Sequence, residues 1–154
     1  MNQKVAFELI WWLITAVLCV IFIYPIYSKL GDQFKFYFEN IAFIILFVTG
    51  FRFVFFTKYH WFAESNKVKL VMIFLSIPLF MFLVGRLWDF QAFLDEYGMY
   101  SMMEGLHADD QISLTRYIKT EMIFNWSGAI ICTVISPFKM LRSIWIYKNR
   151  NKLS

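Results

Sequence analysis

The sequence predicts an all-α integral membrane protein with four transmembrane helices, and three observations carry that prediction. Of 154 residues, 60% are hydrophobic and only 17% charged, whereas soluble domains are about half apolar and a quarter charged. The apolar residues gather into four runs, each of about the length that crosses a hydrocarbon layer of roughly 30 Å at about 1.5 Å per residue. The basic residues are sorted between alternate connections, as they are in chains that thread a bilayer.

The first span, 5–28, holds LIWWLITAVLCVIFIYPIYS without a charge. Its apolar run exceeds the roughly 7 to 15 residues of a secretory signal and no small-residue cleavage pattern follows, so it is expected to persist as a helix. The second, 38–57, is interrupted by Arg52, and the third, 69–88, is bracketed by Lys69 and Arg86. Basic side chains near helix ends reach outward to headgroups, so these shorter runs still suffice to cross. The fourth, 117–138, is the most polar. Four such spans and short connections fill the chain as a single membrane domain.

Orientation follows from the lysines and arginines. With the N-terminus inside, Lys4, Arg52, Lys58, Lys67, Lys69, Lys139, Arg142, Lys148, Arg150 and Lys152 lie inside, against five basic residues outside. Both termini are therefore expected in the cytoplasm, in a bacterial cytoplasmic (inner) membrane. Trp11, Trp12, Trp61 and Trp145 then fall near the inner boundary and Tyr24, Tyr27, Tyr37 and Trp88 near the outer one, where amphipathic rings settle.

The same threading leaves the connection 89–112, with Asp89, Asp95, Glu96, Glu104, Asp109 and Asp110, on the extracytoplasmic side. Its Phe90, Phe93, Leu94 and Tyr97 recur at helical spacing, and Gly98 is a natural stop. A short amphipathic helical elbow between the third and fourth helices is expected, either as the third helix continuing for about two turns beyond the membrane or as a bend that lies along the boundary, with MYSMMEGL as a second apolar piece. Closure of the bundle end is the simpler role for it. The sharper one is docking of another protein on Phe90, Phe93, Leu94, Tyr97, Met99, Met102 and Met103, an adaptable apolar face rimmed with acids. His107, Asp109 and Asp110 match no recognised cation loop. The fourth helix can begin early, with Asp109 and Asp110 at its positive dipole end.

Polar side chains at membrane depth are costly and so mark functional candidates. Arg52 lies six positions before Lys58, about 9 Å along a helix, and is expected to extend to the cytosolic surface; an internal partner such as Glu8 is the alternative. Arg86 and Asp89 are expected to pair locally. Glu121 and Asn125 stand one turn apart on the fourth helix, and Asn125 is expected to hydrogen-bond across helices. Gly128, Cys132 and Ser136 recur every four positions, a seam for close backbone approach inside the bundle or at a subunit interface. Pro78 removes a backbone donor in the third span, where a structural kink is expected rather than a hinge.

Beyond Pro137, FKMLRSIWIYKNRNK alternates apolar and basic residues. The tail 139–154 is expected to continue as a cytosolic or interfacial helix attracted to anionic lipid, and not to bind nucleic acid. Cys19 and Cys132 show no redox or metal spacing. There is no phosphate loop, HExxH or nucleophile elbow, so neither cofactor, metal nor catalytic residue is expected. What remains is a non-catalytic accessory or structural subunit of a membrane assembly, surrounded by lipid and a membrane-protein partner or further copies of itself. A small oligomeric transporter or channel with a polar path near Asn125 is the alternative, and a membrane immunity or interception protein a third reading.

Overall fold

The computed structural model describes residues 3–56 and 65–150. Among the described residues there are four long helices and no strand: α1 Gln3–Leu30, α2 Tyr37–Phe55, α3 Asn66–Glu96 and α4 Ala108–Arg150. All four are long and apolar enough to cross a membrane. Thr57, Lys58, Trp61 and Lys152 lie outside the described residues.

Helix α4 is the central element. Helices α2 and α3 pack along it, and α1 lies chiefly against α2. The ends meet in two groups. At one, Lys29 of α1 approaches Asp110 of α4 at 3.3 Å. At the other, Lys69 of α3 donates to Ser143 Oγ of α4 at 3.0 Å.

Local chemistry explains where each helix starts and stops. Ser65 is extended and its hydroxyl accepts from the Val68 amide at 3.5 Å, capping α3. Gly98, just past α3, has φ +69° and ψ 160°, a conformation that a side chain would strain. It turns the chain into the 3-10 helix Met99–Met102. Asp109 and Asp110 occupy the first turn of α4, beside its unsatisfied amides.

Two helices run on past the spans marked in the sequence. Helix α3 continues without interruption to Glu96, about two turns beyond Trp88, so Phe90, Phe93 and Leu94 belong to it. Helix α4 runs on through Pro137 into the basic tail. Proline cannot donate to the carbonyl four residues earlier, that of Thr133, and the Ser136 hydroxyl donates to it instead at 3.4 Å.

The apolar core gathers toward the elbow end. Phe43, Leu83, Ile118, Met122 and Met103 are fully buried, and Phe34, Phe90, Met99 and Met102 nearly so. The elbow is fastened by Gln111, whose Nε2 donates to both the Met103 and Leu106 carbonyls at 2.9 Å. The outward faces of α1 and α3 are instead apolar and exposed, with Leu13, Val20, Val71, Phe74 and Met81 among them.

Candidate functional site

The most enclosed polar cluster joins α2 to α4. Glu121 and Asn125 share one face of α4 because they are four residues apart, and Asn40 comes from the first turn of α2. Asn40 Nδ2 donates to Glu121 Oε2 at 2.8 Å and Asn125 Nδ2 donates to Oε1 at 2.5 Å. Asn40, Glu121 and Asn125 are 0%, 5% and 1% exposed. Each carboxyl oxygen thus meets one amide N–H, in surroundings where an unmet polar group is expensive.

Asn125 bonds within its own helix, and the cross-helix bond belongs to Glu121 and Asn40. One turn toward the elbow, the Tyr117 hydroxyl donates to the Phe22 carbonyl of α1 at 3.0 Å. Trp126 Nε1 donates to the Leu83 carbonyl of α3 at 3.0 Å. One stretch of α4 therefore ties down all three other helices by hydrogen bonds.

The small residues set how closely those helices approach. A Cβ on Gly50 would stand 2.6 Å from Cys132 Cβ, and one on Gly128 would stand 2.5 Å from the Phe47 ring. The stripe of Gly128 and Cys132 therefore faces α2 inside the chain. Ser136, further along, is half-buried and bonds its own helix.

Arg52 departs from its expected surface reach. It is 5% exposed, its Nη1 lies 2.9 Å from Glu8 Oε2, and its guanidinium stands 5.2 Å from the Phe53 ring and 5.8 Å from Trp12. A carboxylate and two ring faces supply at the helix surface what headgroups would otherwise supply. Arg86 pairs with Asp89 at 3.4 Å, as the spacing suggests, and also with Glu39 of α2 at 3.7 Å. Lys69 is buried as well, at 3%.

The proposed docking face changes most. Phe90, Met99, Met102 and Met103 are 1%, 2%, 5% and 0% exposed, so they fill the bundle's own core and offer a partner nothing. Phe93 and Leu94 are half-buried, and Tyr97 alone of the seven projects, at 66%. The physical reason is that the 3-10 turn folds the methionines back under α4, where burial stabilises each by about 1.5 to 3 kcal/mol relative to water.

Two open recesses lie at this end. One of about 590 Å³ is lined by Gln33, Lys35, Phe93, Tyr97, Ser101, Met102 and Glu104. A second, of about 280 Å³, runs between α1 and α4 over Pro25, Ser28, Lys29, Asp110, Ser113, Leu114 and Tyr117.

Asn40, Glu39 and Gly50 were not singled out by sequence. The available signal for Asn40 was an amide at the very edge of an apolar run, able to meet Glu121, the acid at the edge of the last apolar run. No protein-family model, curated protein or solved structure matches the chain.

Proposed function

We propose that this chain is a non-catalytic structural subunit of a membrane protein assembly, crossing a bacterial cytoplasmic membrane four times with both termini in the cytoplasm. The observation that supports this most directly is the division of labour between its faces. The deep polar side chains bond to one another or to backbone inside the bundle, whereas α1 and α3 turn broad apolar faces outward. Such faces suit hydrocarbon and neighbouring helices alike. The elbow acts as the closure of the extracytoplasmic end, and its partner contact is confined to the exposed rings of Trp88, Tyr97 and Tyr100.

The distribution of basic residues, ten inside and five outside, supports the threading. A reporter fused at Ser154 is expected to register a cytoplasmic location, and one inserted at Asp109 an external location. The opposite pattern would overturn the threading. For the role, photo-crosslinkers placed at Leu13 of α1 and Met81 of α3, both 66% exposed, are activated in native membranes. A discrete adduct with one unrelated membrane protein, recovered at fixed stoichiometry, is expected.

A second reading, a small oligomeric transporter, is favoured by Glu121, the single buried acid among the described residues, held between two amides. Adducts with lipid and with the chain itself alone, together with solute flux into liposomes that depends on Asn125, would replace the subunit reading with this one.

A further inference from the structure

One atom in the enclosed cluster has no hydrogen-bond partner. Asn40 Oδ1 is buried, and among the described residues no group donates to it. It shares a carbon with the nitrogen that touches Glu121 Oε2, so bond geometry sets the amide oxygen about 4 to 5 Å from the carboxylate oxygen, a span that one ion can bridge. A buried acceptor without a donor costs about 1 to 3 kcal/mol unless something positive meets it.

We propose that Glu121, Asn40 and Asn125 form a binding site for a sodium ion. Charge and ligand type select the ion. The carboxylate supplies one negative charge, which a monovalent cation cancels; a divalent ion would leave an excess charge in surroundings that penalise it. Calcium takes six to eight oxygens and magnesium a near-ideal octahedron with several waters, whereas this site offers one carboxylate and two carboxamides. Asn125 joins by turning its carboxamide about the terminal side-chain torsion, which presents oxygen where nitrogen now stands. The groups that bond to the carboxyl are the Asn40 and Asn125 carboxamides, from α2 and α4, and neither is a cation that competes for it.

The α1–α4 recess gives the entry. Tyr117 lies in its lining and stands one turn, about 6 Å, from Glu121. The Tyr117 hydroxyl is held in place by its bond to the Phe22 carbonyl. Lys29 at the rim is drawn aside by Asp110 at 3.3 Å, which tempers its repulsion of an incoming cation.

The experiment uses the full chain in detergent micelles. Choline chloride is replaced stepwise by NaCl or KCl at constant ionic strength while the thermal midpoint is followed, and 22Na binding is measured on the wild-type chain. Sodium is expected to raise the midpoint saturably by about 2 to 4 °C, with 22Na binding near one per chain. Glu121→Gln, which keeps shape and removes charge, is expected to abolish the sodium dependence, and Asn40→Ala to weaken binding by tenfold or more. Ser113→Trp, filling the recess, is expected to slow 22Na exchange several-fold at unchanged stoichiometry.

Equal midpoints in sodium, potassium and choline, no bound 22Na on the wild-type chain, or sodium dependence that persists in Glu121→Gln would each overturn the site. Unchanged exchange in Ser113→Trp would overturn the route. The wild-type binding measurement decides the matter even where a variant does not fold. The crosslinking that tests the subunit role gives its answer independently of sodium.

Discussion

Replacing Gly50 by alanine tests whether α2 and α4 touch through their backbones, because two known effects oppose each other in sign. Alanine in a helix interior is favoured over glycine by about 1 kcal/mol, so propensity alone predicts a more stable protein. The geometry predicts the reverse. The new Cβ would stand 2.6 Å from Cys132 Cβ, and carbon atoms rest at about 3.5 to 4.0 Å. Each Cβ is fixed by its own backbone, so no torsion relieves the overlap, and the two helices must part locally by roughly 1 Å.

Overpacking of this kind costs about 1 to 3 kcal/mol, which leaves a net loss near 1 kcal/mol after the propensity gain. The thermal midpoint should fall by about 2 to 4 °C. Cys132→Gly removes the opposing atom, and the double variant should recover a coupling energy of about 1 to 3 kcal/mol relative to the sum of the singles. A midpoint for Gly50→Ala at or above wild type, or strictly additive singles, would refute the close approach.

Four further variants examine the ends of the bundle. Glu8→Gln leaves the buried Arg52 guanidinium without its carboxylate and should cost about 3 to 5 kcal/mol, whereas Glu8→Leu with Arg52→Met should be close to neutral; a single-variant loss under about 1 kcal/mol in detergent-driven unfolding would mean that Arg52 extends to the surface instead. Met103→Asp should raise hydrogen exchange across 97–107 while circular dichroism keeps its helical signal, because Met103 is fully buried, and Tyr97→Asp, at 66% exposure, should change neither. Equal protection of the elbow in both variants would contradict its role as the closure of the core.

Particular residues show how far sequence carries. Periodic apolar runs without internal charge, as in α1, specify helices of spanning length because backbone groups in an apolar medium must bond within their own segment. Ser65, Gly98 and the Asp109–Asp110 pair mark ends for local reasons of capping, left-handed backbone and dipole, each acting within one turn. Pro137 leaves α4 unbroken, because the consequence of a missing donor depends on whether a nearby hydroxyl replaces it, and Ser136 does. The elbow left two roles open in the sequence, closure and docking. Phe90, Met99 and Met103 are apolar whether they face a partner or the chain's own core, and composition does not distinguish the two.

The sequence by itself determined the class of this protein: helical, apolar at four spanning lengths, with its charges sorted between connections. Those properties depend on hydropathy and hydrogen bonding summed along a segment, quantities that neighbours in sequence settle. Only the tertiary structure decided which polar groups meet. Asn40 and Glu121 are 81 positions apart and bond at 2.8 Å, and Gly50 matters because of Cys132. Contacts of that kind arise from the rotation of each helix about its axis and the closeness of its neighbours, which no single segment encodes.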